Sequence, residues 1–223
     1  MEQRSYNQFC ATARTLDIVG ERWTLLLIRE LLTGPKRFGD LQKSLRGLGT
    51  GLLSARLKQL ERDGLAHKIM LPPPARTRAY ALTEAGEELG PAVMALARWG
   101  MTWAMGERRE GEAFHPGWAV LALRSCFVSE AAAGLQATYE FRVGSEVFHA
   151  DIDDSSIETL HGPAQHPDVV IETTEDVLID MAAGKGGFGE ALRNCTAIAT
   201  GDEALLSRLG VLFIWPTPQK RRP

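Results

Sequence analysis

The chain has 223 residues, of which 44% are hydrophobic and 24% charged, with a formal net charge of −3. Such a length lies between one domain and two and can bury a sizeable core, and such a composition excludes disordered and fibrous classes. No apolar run reaches the ~18 residues of a membrane span, and three widely spaced cysteines, Cys10, Cys126 and Cys195, make neither a disulfide framework nor a zinc pattern.

The N-terminal stretch MEQRSYNQFC has no apolar segment of the kind that marks secretion. With the cysteine usage, this leads us to expect a reducing, cytoplasmic setting and no membrane partner. The net charge hides an asymmetry. Up to Gly106 there are 15 Lys/Arg against 10 Asp/Glu; from Glu107 onward there are 10 against 18. A basic first half on an acidic second half suggests that only the first meets a polyanion.

In chain order, Cys10 to Val19 reads as a short helix stopped by Gly20. A second helix runs from Glu21 to Leu32, ended by Gly34 and Pro35. A third, Arg37 to Leu45, is expected to bury Phe38, Leu41 and Leu45, and Gly47-Leu48-Gly49 then turns the chain. Thr50 is the expected N-cap of a fourth helix that reaches about Asp63, with Gly64 as its stop. At ~100° per residue, Leu53, Leu57 and Leu60 fall on one side of it, and Gly51, Ser54, Lys58 and Arg62 on the other. Small residues near the N-terminus and cations beyond suit a helix lying in the major groove of DNA. Two strands follow, Leu65 to Leu71 and Arg78 to Leu82, around a tip carrying Pro72, Pro73, Pro74 and Arg76. Helix, turn, helix and basic hairpin in this order are the layout of a winged helix-turn-helix. Thr83 is expected to cap one long helix, Glu84 to about Met105. The later part of that helix is apolar over a wide arc, to be covered by a second copy of the chain or by the second half of the same chain.

On this layout, Thr50, Gly51, Ser54 and Lys58 are expected at or near the major groove, and Arg37, Arg76 and Arg78 on backbone or minor groove. Arg56 projects to the flank of its helix, and either meets DNA or pairs with a carboxylate of its own domain. Cys10 to Trp99, with C-x6-D-x2-G-x2-W-x4-I-REL followed by GPKRFGDL, LSARLKQLERDGL and YALTEAGEEL, resembles the HxlR family of bacterial winged-helix transcription regulators. The resemblance implies a homodimer formed by terminal helices, a recognition helix at Gly51 to Asp63 and a wing at Leu65 to Leu82. It also implies a redox or electrophile sensor at Cys10, although Ala11 follows it where many members have proline; independently of the family, a cysteine opening a helix reads as a small apolar core residue.

The charged stretch Arg108 to Glu112 is the best domain break, giving a DNA-binding and dimerisation domain at 1–107 and a second domain at 112–216. Pro116 sits at a helix start, and Trp118 to Phe127 is apolar at helical spacing. Leu135 to Ile152 reads as a hairpin in which Ala137, Tyr139, Phe141 and Val143 alternate with Thr138, Glu140 and Arg142, one face buried and one solvated. Strands at Ile157 to His161 and Asp168 to Glu172, a helix from Glu175 to Ala183, a short helix from Phe188 to Arg193, a strand from Thr196 to Thr200 and a helix from Gly201-Asp202 to Phe213 complete it. The expected class is α+β: a winged helix-turn-helix, then a mostly antiparallel sheet with helices on one face.

The order Gly144-Ser145, HGPAQHPDVVIETTEDVLIDMAAGK and TAIATGDEALLSRLGVLF is similar to the sterol-carrier-protein type of lipid-binding domain, over about Gly111 to Trp215. That resemblance implies an apolar tunnel for a hydrophobic small-molecule ligand, with Phe141, Phe148, Ile171, Leu178, Met181, Leu192 and Phe213 lining it or forming plain core. Catalytic and metal patterns fail. Asp151, Asp153 and Asp154 lack the Gly and Glu of a calcium loop, and Gly184-Lys185-Gly186 lacks the Ser/Thr of a P-loop. His161 and His166 have no third ligand nearby, and no Ser or Cys stands in a nucleophile elbow. Neither an enzyme nor a cofactor is expected. The sequence therefore points to a DNA-binding regulator, with a lipid carrier whose winged helix serves mainly dimerisation as the alternative.

Overall fold

A computed structural model of the chain describes residues 5–219. The first residues of the expected DNA-binding domain, and part of the N-terminal stretch read for a secretion signal, lie outside that range. The chain forms two compact units that divide between Val93 and Met94, ahead of the charged break at Arg108 to Glu112.

The first unit begins with α1 (Ala11–Val19) and α2 (Thr24–Leu31). The second helix starts three residues later than its apolar pattern suggests, because Trp23 takes a left-handed conformation with φ 79°. Bulky side chains pay for that conformation in sterics, so Trp23 marks a tight connection and not a helix interior. Next come α3 (Phe38–Ser44) and α4 (Thr50–Arg62). Leu41 and Leu45 are buried, but Phe38 is only half-buried because it opens the helix. Gly49, not Thr50, is the N-cap of α4: its extended backbone (φ −65°, ψ 149°) precedes the first helical residue, Thr50. The leucine stripe of α4 packs inward, with Leu53 and Leu57 fully buried and Leu60 1% exposed.

Strands β1 (Ala66–Met70) and β2 (Arg78–Leu82) pair antiparallel, Ala66 opposite Leu82 and Met70 opposite Arg78. Lys36 adds a bridge on the far side of β2, with Lys36 N–H donating to Tyr80 O at 3.0 Å and Tyr80 N–H to Lys36 O at 2.8 Å. The hairpin is thereby tied to the segment that leads into α3, two residues before its start. At its base, Thr83 Oγ1 donates to Gly64 O and accepts from Gly86 N–H, capping α5 (Glu84–Glu87).

The single helix expected from Glu84 to Met105 is in fact two, α5 and α6 (Gly90–Trp103). Pro91 has no N–H to continue the ladder, and its ring would crowd the carbonyl four residues back, at Glu87. The first helix ends there and Pro91 sits in the first turn of the next, where it is tolerated.

The second unit is a five-stranded sheet with helices packed on one face. Its strands are β3 (Gln136–Val143), β4 (Glu146–Asp153), β5 (Ser156–His161), β6 (Val169–Thr173) and β7 (Ile198–Gly201), in spatial order β5-β4-β3-β6-β7. All pairs are antiparallel except β3 with β6, where Phe141 lies beside Ile171. The helices are α7 (Ala119–Cys126), α8 (Glu175–Ala182), α9 (Phe188–Arg193) and α10 (Glu203–Leu212). Asp202 caps α10, accepting from the N–H groups of Ala204 and Leu205.

The alternation of β3 holds on the core side, where Ala137, Tyr139, Phe141 and Val143 are buried. It fails at Glu140, expected in solvent and found 1% exposed. The segment after β5 folds over that face, and Ala164 N–H donates to Glu140 Oε2 at 2.9 Å. Such a charge is tolerable inside only because it is hydrogen-bonded and paired, here with Arg142 at 2.8 Å. Among the described residues, no helix is long and apolar enough to cross a membrane.

Candidate nucleic-acid interface

Three elements of the first unit build the basic surface: the N-terminus of α3, the outward arc of α4 and the wing. At α3, Asp40 turns back so that its carboxylate accepts from Arg37 N–H at 3.2 Å, which fixes the start of the helix and leaves the Arg37 side chain exposed. The turn between α3 and α4 passes through Gly47 at φ 88°. A Cβ on Gly47 would sit 3.8 Å from the Trp23 ring, so the left-handed Trp23 reaches under the turn. Leu48, 4% exposed, seals it from inside.

On α4, Thr50, Gly51 and Lys58 are exposed and Ser54 is half-buried. With the three leucines held inside, these residues face outward as one arc of small and cationic groups. Short side chains at the N-terminal turn let a helix approach base edges, and a lysine further along meets phosphate. On the wing, Arg76 and Arg78 are both exposed, Arg76 at the tip with φ 36° and Arg78 at the first position of β2. Leu71 N–H donates to Thr77 O at 2.9 Å and closes the tip above them.

Arg56 has a carboxylate of its own domain as a partner. Its Nη2 lies 2.7 Å from Oε2 of Glu21, which precedes α2. Lys68 of β1 is also engaged: its ammonium is 2.9 Å from Glu61 and 5.4 Å from the centre of the Tyr80 ring. The hydrogen bond that Lys68 donates to Glu61 raises its pKa, so Lys68 carries its charge throughout the neutral range. The Arg56 and Lys68 partners were not evident in the sequence, since Glu21 lies 35 residues from Arg56 and belongs to no shared period.

Cys10 is the exposed N-cap of α1. The N–H groups of Ala13 and then Thr12 at the open helix end hold its pKa below the ordinary thiol value, although neither meets full hydrogen-bond geometry. By contrast, burial pushes the Cys126 thiol up to about 12.

In the second unit, the seven residues named for a ligand lie in or against one apolar core. Phe141, Phe148, Ile171, Leu178, Met181 and Phe213 are buried there, with Leu192 half-buried against them. Phe141 is its centre, 5.4 Å from Phe148 in a stack, 5.2 Å from Phe188 and 6.2 Å edge-on to Phe213. Phe188, absent from the seven, is 1% exposed and equally central. Its place at the start of a six-residue helix gave no periodic signal. No group of three or more His, Cys, Asp or Glu able to hold a metal occurs among the described residues.

An α+β chain whose first unit carries helix, turn, helix and a basic hairpin in this order belongs, by its architecture, to the winged helix-turn-helix class. A family model described as HxlR-like helix-turn-helix matches residues 18–108. Among relatives, the uncharacterized HTH-type transcriptional regulator YkvN of Bacillus subtilis is 33% identical over 106 residues, 46% of this chain and 87% of its own length. YvaP of the same organism is 32% identical over 90 residues, covering 40% of this chain and 83% of YvaP. The uncharacterized HTH-type transcriptional regulator Rv3095 of Mycobacterium tuberculosis is 41% identical over 90 residues, and the chain spans 56% of its length. A solved structure, the reduced form of the transcriptional regulator YodB from B. subtilis, is 29% identical, covers 42% of this chain and 92% of that one, and superposes with a TM-score of 0.37. The chain belongs to the HxlR-like helix-turn-helix family.

Proposed function

We propose that the protein is a transcriptional regulator that binds a palindromic operator as a homodimer. The observation that carries this is the division of α4: Leu53, Leu57 and Leu60 buried, with Thr50, Gly51 and Lys58 exposed beside the exposed arginines of the wing. A helix so divided, on a module with 15 cationic against 10 anionic residues, fits a major groove, with Arg37, Arg76 and Arg78 on flanking phosphate or in the minor groove. The second copy would cover α6, where Leu96, Trp99 and Trp103 are 53%, 55% and 44% exposed at helical spacing. Two recognition helices in a dimer then read half-sites about 34–36 Å apart.

Two inputs belong to this reading. The second unit, of sterol-carrier type, takes a hydrophobic small molecule against the core around Phe141. Cys10, exposed and with a lowered pKa, is open to oxidation. A ligand regulates only if it binds the two states of the protein with different affinity.

The test is the salt dependence of binding to duplex DNA. Each phosphate contact contributes a slope of about −0.9 in log K against log[salt]. Lys58→Ala is expected to weaken binding to all sequences and flatten the slope by about one contact, whereas Ser54→Ala is expected to change sequence preference. A flat salt response of the wild type would refute the regulator and leave the lipid carrier.

A further inference from the structure

We infer that Arg56 is a positioning residue and not a DNA contact: with Glu21 it fixes the set of the recognition helix, and sequence selectivity depends on that ion pair. The inference rests on the regulator reading above.

The placement comes first. At 100° per residue, Ser54 and Lys58 fall at about 40° and 80° from Thr50 on the wheel of α4, and Leu60, Leu53 and Leu57 at about 280°, 300° and 340°. Arg56 falls at about 240°, some 160° from both Ser54 and Lys58 and beside the buried leucines. A guanidinium there cannot share a groove floor with Ser54. It points back toward its own domain, where its side chain is 20% exposed.

The partner comes second. Glu21 stands in the connection between α1 and α2, and its Oε2 takes Arg56 Nη2 at 2.7 Å. Arg56 Nε is buried and makes no hydrogen bond. Burial of that nitrogen is tolerable only while the rest of the guanidinium is held, so Glu21 is the group that keeps Arg56 in place. Two residues on, Trp23 in its left-handed conformation reaches Gly47 at the turn before α4. The short connection 20–23 thus touches the helix-turn-helix at two points, the turn itself and the middle of α4. Leucine packing alone fixes the depth of α4. Rotation about its axis is held further by contacts on the flanks, and the Arg56–Glu21 pair is one of these. A rotation of α4 would move Thr50, Gly51 and Ser54 off the bases while leaving the charges of Lys58, Arg76 and Arg78 near phosphate.

The experiment uses the full chain, a duplex selected from a random-sequence pool by the wild-type protein, and an unselected duplex of equal length. The readouts are the ratio of the two affinities and the salt slope. Arg56→Glu and Glu21→Arg are each expected to lower the ratio by about tenfold. The double reversal, which keeps the wild-type net charge, is expected to recover at least threefold of that loss with the wild-type slope. If either reversal does not fold, Arg56→Gln and Glu21→Gln replace them, each expected to lower the ratio at least threefold at unchanged slope. A double reversal no better than Arg56→Glu overturns the inference. So does an Arg56→Gln slope flatter by about 0.9 with the ratio kept, the mark of a lost phosphate contact. A wild type that selects no duplex overturns the regulator reading together with this one, whereas the other failures leave that reading intact.

Discussion

Glu140 and Arg142, two positions apart on β3, meet side by side at 2.8 Å although their side chains are 2% and 48% exposed. The carboxylate is therefore the buried partner and the guanidinium its link to solvent, where it also reaches Glu172 at 3.0 Å. The hydrogen bonds that Arg142 donates to Glu140 and then Glu172 raise its pKa.

Replacing Glu140 by Leu would leave Ala164 N–H without its acceptor and release the segment that covers this face. The expected loss is about 1–3 kcal/mol, read as a lower urea midpoint and faster hydrogen exchange at residues 162–167. Glu140→Gln keeps an oxygen for Ala164 and is expected to cost less. Equal effects of the two would show that the charge, and not the bond to Ala164, sustains the segment.

Gly86 sits in α5, where alanine would ordinarily improve a helix by about 1 kcal/mol. Here a Cβ would stand 2.1 Å from the Leu65 carbonyl oxygen at the base of the wing. Backbone must shift to admit it, so Gly86→Ala is expected to destabilise by about 1–3 kcal/mol. A raised melting temperature would contradict this.

Stability should fall above about pH 9. Burial raises the Cys126 pKa from 9.0 to about 12 and that of Tyr139 from 10.0 to about 12. In that window the unfolded chain has lost these protons while the folded chain keeps them. The unfolded state then binds fewer protons, and the slope of unfolding free energy with pH is negative. Each group removes about 1.4 kcal/mol per pH unit once its unfolded form has ionised. In Cys126→Ala the decline should begin near pH 10 instead of 9, as measured by urea midpoints between pH 7 and pH 11.

The thiols should separate by rate as well. At neutral pH, iodoacetamide is expected to label Cys10, exposed at a helix end, well before the buried Cys126. Mass spectrometry of peptides at timed intervals reads the order, and faster labelling of Cys126 would refute it.

Leu57 is fully buried at the centre of α4. Leu57→Ala is expected to cost about 2–5 kcal/mol, and DNA binding should fall with the folded fraction at an unchanged salt slope.

What the sequence revealed was whatever repeats locally. The three leucines of α4, the alternation of Tyr139, Phe141 and Val143, and the basic hairpin each carry their own period or turn chemistry. Contacts between distant residues left no such trace. The Lys36 bridge to Tyr80 is a single pair of hydrogen-bonded residues, too short for any period. Glu140 alternates like a solvated residue, and only the return of the chain near Ala164 buries it. Pro91 lies inside an otherwise helical pattern, and the apolar run after it continues that pattern and masks the break between α5 and α6. Of the proposed interface, the arc on α4 was legible, whereas the Arg56 partner depended on how the connection before α2 folds.

The parallel pairing of β3 with β6 has a consequence for synthesis on the ribosome. The meander β3-β4-β5 is continuous in sequence and can form as soon as residues 136–161 have emerged. Until Val169–Thr173 follows, β3 is a temporary edge, eight residues long, with Tyr139 and Phe141 uncovered on one side. An open apolar edge invites pairing with a neighbouring nascent chain. A pause in translation between codons 162 and 173 is therefore the point at which this protein is most exposed to aggregation, and a chain shortened there should need a chaperone to stay in solution.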